Sequence, residues 1–78
     1  MQVEAYVFIE ATKPGPRAVV RAIRGLPGVV RADGLLGTPD VIAIVAGADI
    51  AAMDAVIDRI VEIEGVARTD SKVVRWIT

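Results

Sequence analysis

Gly37-Thr38-Pro39-Asp40 is the stretch of this chain best supplied for holding a small molecule. Glycine lets a ligand come close to the backbone, Thr38 brings a hydroxyl, Pro39 stiffens the turn, and Asp40 offers a carboxylate suited to an ammonium group. A plain hairpin turn draws on the same residue types, so the four residues alone leave both readings open. Elsewhere the chemistry is sparse. The chain holds no His, no Cys, one Tyr and two Lys. That leaves carboxylates as the ordinary acids and bases and argues against a structural zinc site. Asp54, Asp58 and Glu62 recur one helical turn apart, the pattern of a solvated acidic face. Arg17, Arg21 and Arg24 form a stripe of opposite sign at spacings of four and three. We read these stripes first as partners for ion pairs between helices or between neighbouring subunits, with phosphate or RNA binding by the arginines as the lesser alternative; exposed pairs of this kind contribute about 0–1 kcal/mol each. No enzyme activity, cofactor or metal is expected from this set.

The elements that must position these residues are legible from pattern. Val3 to Glu10 is rich in β-branched and aromatic residues and ends at the breaker run Thr12-Lys13-Pro14-Gly15-Pro16, which predicts a strand. Pro16 suits a first helical position, and Val19, Val20, Ile23 and Leu26 follow at helical spacing until Pro27-Gly28. Val29 to Leu36 and Val41 to Ala46 read as strands around the turn. Asp49 is an N-cap for a second helix with Met53, Val56, Ile57, Ile60 and Ile63 on its apolar stripe, closed by Gly65. Ala67 to Ile77 is the last strand.

The phrase at Gly25–Asp33 returns at Glu62–Asp70, sharing Gly28 with Gly65, Val29 with Val66, Arg31 with Arg68 and Asp33 with Asp70. A β-α-β unit used twice gives β-α-β-β-α-β, an α+β ferredoxin-like sandwich of the dimeric α/β barrel type. The expected antiparallel four-stranded sheet has order 4-1-3-2, within one domain spanning residues 1–78.

Two helices cover one face of such a sheet, and the other should alternate to polar if it meets water. Tyr6, Phe8, Ile42 and Ile44 do not. With 54% hydrophobic residues and only 78 positions, the chain has more aliphatic surface than a small monomer hides. A sheet-to-sheet homodimer is therefore expected: burying about 500 Å2 per subunit would contribute on the order of 10 kcal/mol before association entropy. A net charge of −1 argues against direct nucleic-acid binding. No apolar run is long enough for a membrane span and no signal sequence is evident, so a soluble cytoplasmic protein is expected.

Beyond this reading, the chain resembles the effector-binding (RAM) domain of the Lrp/AsnC family of transcription regulators. The marks are the opening Ala5-Tyr6-Val7, the Pro27-Gly28-Val29 entry to the second strand, the Gly37-x-x-Asp40 turn running into Val41, and Gly65-Val66 leading to a strand with Thr69 and Ser71. The resemblance implies dimers packed through their sheets and assembled into rings, up to an octamer, with a small amino acid bound where dimers meet. It implies ligand contacts at Gly37, Thr38, Asp40, Thr69, Asp70 and Ser71, with backbone amides on the carboxylate and Asp40 on the ammonium. Because Met1 opens directly on a strand, a stand-alone form lacking the helix-turn-helix is expected, acting on transcription through co-assembly with a full-length DNA-binding relative. Two alternatives stay open: an ACT-like amino-acid sensor, since Lys13–Ile23 looks like the glycine turn and helix used there, with its ligand at Gly15, and a dimeric α/β barrel enzyme.

Overall fold

The computed structural model describes residues 2–75. In chain order the elements are β1 (Val3–Ala11), α1 (Pro16–Arg24), β2 (Val29–Gly34), β3 (Val41–Gly47), α2 (Ile50–Val61) and β4 (Val66–Val73). The four strands form one antiparallel sheet of order β2-β3-β1-β4, the expected order read from the opposite edge. This is the ferredoxin-like α+β sandwich.

Local chemistry sets the helix ends. Proline occupies the start of α1, where its missing amide costs nothing, and the Val19 N–H closes the first turn on the Gly15 carbonyl at 3.1 Å. Asp49 caps α2, its carboxylate accepting the Ala52 N–H at 2.8 Å. Both helices stop two residues before the last apolar residue of their stripes. There the Leu26 N–H turns back to Ile23 O and the Ile63 N–H to Ile60 O, tightening each end. The repeated phrase thus makes the same helix-to-strand turn twice.

Alternation along β1 and β3 divides the sheet. Ala5, Val7, Ile9, Val41, Ala43 and Val45 are wholly buried under the helices, joined by Val19 and Ile23 of α1 and Ile60 of α2. Cross-strand partners share a face. On the open face, Tyr6 therefore lies in one row with Ile44 and Lys72, and Phe8 in another with Ile42 and Asp70. Arg31 and Asp33 extend these rows onto β2. The open face is thus an apolar stripe along β1 and β3, with Tyr6 43% exposed, bordered by charge on both outer strands.

Two expectations are corrected. β2 ends at Gly34, not Leu36, because the Leu35 N–H bonds to Asp40 O at 2.8 Å and closes the hairpin there; Leu36 projects fully into solvent. No ion pair joins α1 to α2 among the described residues. Arg24 turns instead to the strand that follows its own helix, where Asp33 lies at 3.3 Å. The residues Trp76 and Ile77, expected in the last strand, lie outside the described residues.

Candidate functional site

Asp40 sits where three strands converge. Its Oδ1 accepts the Ala11 N–H at 2.9 Å and its carbonyl accepts the Leu35 N–H at 2.8 Å, tying the ends of β1 and β2 to the start of β3. Pairing of β1 with β3 has already stopped at Ile9–Val41. The carboxylate serves as the next acceptor. It also faces a kink, since the β1–β4 register slips between Glu10 and Ala11.

Because β3 begins only at Val41 while β1 runs on to Ala11, the turn reaches over the end of β1 towards β4. Pro39 lines a pocket of about 430 Å3 together with Phe8 and Glu10 of β1 and Arg68, Thr69 and Asp70 of β4. Of the expected site residues only Thr69 and Asp70 line it; the turn contributes Pro39, while Asp40 faces a different cavity, beside α1. Within the pocket the charges are of both signs: Arg68 Nε stands 3.9 Å from Glu10 Oε2, and Asp70 Oδ2 is 3.3 Å from Lys72 Nζ. These are exposed, loosely held pairs that an incoming zwitterion can exchange at small cost.

The remaining expected residues are placed differently. Gly37 and Thr38 lie at the exposed tip of the turn, Gly37 with φ of +110° and open space where a Cβ would stand. Ser71 pairs with Val7 and Thr69 with Ile9, on the helix side of β4, whereas Asp70 pairs with Phe8 on the open side. Sequence reasoning passed over Phe8, Glu10, Pro39 and Arg68. The signal for two of them was present: a 4-1-3-2 order makes β1 and β4 neighbours, and only the register was needed to set Glu10 beside Arg68. Among the described residues no group of three metal-ligating side chains comes together, and no helix is long and apolar enough to cross a membrane.

The fold is an α+β sandwich with a cavity of small-molecule size at one edge of its sheet. The sequence narrows this: residues 4–75 match the Lrp/AsnC ligand binding domain, and the chain belongs to that family. Among solved structures it is similar to TTHA0845 from Thermus thermophilus, with 28% identity, a TM-score of 0.88, and coverage of 97% of this chain and 96% of that one. It is similar also to the NMB0573 transcriptional regulator of Neisseria meningitidis, solved as an L-Met complex, at 23% identity and TM-score 0.79, covering 95% of this chain and 50% of that chain. An AsnC family transcriptional regulator from Agrobacterium tumefaciens gives 22% identity and TM-score 0.81, covering 97% and 52%. The chain thus spans about half the length of these two regulators. No curated protein matches it.

Proposed function

We propose that this domain is a cytoplasmic amino-acid sensor that dimerises through its open sheet face, builds rings from those dimers, and modulates transcription through DNA-binding partners with which it co-assembles. The observation that carries the reading is the meeting of Thr69 and Asp70 with Pro39 of the turn in one pocket, beside Arg68 and Glu10. In this reading Arg68 and the backbone amides of the turn take the ligand carboxylate, and Asp70 and Glu10 take its ammonium. Asp40, with Oδ1 committed to Ala11, holds the turn in place beside the pocket without lining it. Thr69 contributes a hydroxyl from β4, whereas Ser71 stands outside the pocket on the helix side; Gly37 and Thr38 close over the ligand from a neighbouring dimer. The L-Met complex of the Neisseria regulator makes methionine the first candidate.

Support for the dimer is the apolar stripe of Tyr6, Phe8, Ile42 and Ile44, which has no cover within the subunit. Its charged borders are self-complementary, with Arg31 and Asp33 on one edge and Asp70 and Lys72 on the other. A two-fold axis through the stripe would bring unlike charges together and exclude water from the middle. The role is non-enzymatic: it needs a bound effector to shift an assembly, not a reacting group.

Titration calorimetry with the common amino acids tests this directly. Methionine or another small amino acid is expected to bind, and Arg68→Ala and Asp70→Asn each to weaken binding by about tenfold or more, the worth of one charge-assisted hydrogen bond. Absence of heat with every amino acid, at concentrations up to several millimolar, would overturn the sensor role. Loss of binding in Gly15→Val, with no change in Arg68→Ala, would move the ligand to the ACT-like position.

A further inference from the structure

A second cavity, of about 440 Å3, lies between α1 and the β2–β3 hairpin and shares no lining residue with the pocket above. Its volume is that of a small-molecule site. Pro16, Val20 and Leu35 give it an apolar floor, and Arg17, Arg21 and Arg24 stand along one wall. Three of the chain's seven arginines thus converge on one cleft in a protein whose net charge is −1.

The three are not equivalent. Arg24 is anchored: its Nε donates to Ala32 O at 2.9 Å and its Nη2 lies 3.3 Å from Asp33 Oδ1. Arg17 and Arg21 have neither a hydrogen bond nor an ion pair among the described residues. One turn apart on the same helix face, they hold two planar donor forks about 5–6 Å apart at their roots. Asp40 is the single carboxylate in the lining, and its Oδ1 is taken by Ala11. An ammonium group entering this cleft would face guanidinium groups with half a carboxylate to receive it. A carboxylate or phosphate would meet uncommitted forks of matching geometry, while its organic body displaced water from Val20 and Leu35.

We propose that this cleft binds a small organic anion with an apolar body and no ammonium group, held through Arg17 and Arg21. Such a ligand is distinct in charge from a zwitterionic amino acid. The domain would then read two chemical signals at two separate places.

The probes are phenyl phosphate, 3-phenylpropanoate and L-phenylalanine, titrated calorimetrically at low ionic strength into the wild-type protein and into Arg17→Ala/Arg21→Ala. Both side chains are exposed and off the core, so the variant should fold; circular dichroism and the charge-keeping Arg17→Lys/Arg21→Lys variant check this. At least one of the two anions is expected to bind, to weaken about tenfold or more in the Ala variant, and to weaken in 0.5 M salt as screened ion pairs do. The stronger of the two identifies the head group. Failure of both anions to bind overturns the proposal, as does equal binding by the Ala variant. Binding of L-phenylalanine that is lost in that variant overturns the exclusion of ammonium. Because Arg68 and Asp70 lie outside this cleft, failure of the amino-acid pocket leaves these outcomes unaffected.

Discussion

The carboxylate of Asp40 accepts the main-chain N–H of Ala11, 29 positions earlier, at 2.9 Å. A side chain here does what a strand would do, continuing the β1–β3 ladder one step past its last pair. Asp40→Ala would leave a part-buried amide without a partner, which costs about 1–3 kcal/mol, whereas Asp40→Asn keeps an acceptor and should restore most of it. Urea unfolding at fixed protein concentration reads the difference. Equal midpoints for wild type and Asp40→Ala would show that the bond carries no stability.

The two glycines of the repeated phrase are locked against each other's helices. A Cβ on Gly28 would stand 2.5 Å from Val56 Cγ2, and one on Gly65 would stand 2.9 Å from Val19 Cγ2. Each glycine follows one helix and touches the other. Both also have positive φ, +91° and +98°, where an L side chain is strained. Gly28→Ala and Gly65→Ala should each destabilise by about 2–4 kcal/mol, from backbone strain and overpacking together. Adding Val56→Ala to Gly28→Ala should recover part of the steric share beyond what the single substitutions sum to, leaving the conformational share. A strictly additive pair would mean that the contact does not govern the effect.

What the sequence disclosed was what periodicity and punctuation encode. Helical spacing placed Val19, Ile23 and Ile60 in the core, alternation separated Val7 from Phe8, and the recurrence of Gly-Val with Arg-x-Asp revealed the two halves. What stayed hidden depended on contacts distant along the chain. Between Val29 and Leu36 the Asp33-Gly34 pair was a turn signal that the following Leu35-Leu36 outweighed; the strand ends there because Asp40 closes the hairpin. The opposite charge stripes of α1 and α2 suggested a mutual pairing, but Arg24 found Asp33 on its own adjoining strand. Even the repeat is used differently in each half. Arg31 pairs with Asp33, at 2.6 Å, whereas Arg68 faces Glu10 and Asp70 faces Lys72. The two cavities are likewise products of register and turn geometry, which residue types alone do not convey.

Asp49 offers a cleaner local test. Its carboxylate accepts the Ala52 N–H at 2.8 Å and has no other bond or ion pair among the described residues. Asp49→Ala should cost about 1 kcal/mol, and Asp49→Ser, which keeps a capping oxygen, much less. Thermal unfolding followed by circular dichroism reads both. A loss as large in Asp49→Ser as in Asp49→Ala would assign the effect to charge, not to capping.

The open sheet face provides the most demanding prediction. Ile44 lies opposite Tyr6, and Ile42 opposite Phe8, so four apolar side chains meet in two adjoining rows with no helix above them. A charge placed at Ile44 would be buried without a partner if a second copy covers the stripe, and merely solvated if none does. Ile44→Arg is therefore expected to convert a dimer or larger ring at about 10 μM into monomer or unfolded chain, a loss that about 500 Å2 of apolar burial per subunit would account for. Asp54→Arg, on the exposed face of α2, makes a charge change of similar kind away from the stripe and should leave the assembly intact. Sedimentation velocity over a range of concentrations distinguishes the cases. A wild-type protein that sediments as a folded monomer at every concentration, with Ile44→Arg equally stable, would remove the interface, because the stripe would then tolerate both water and charge.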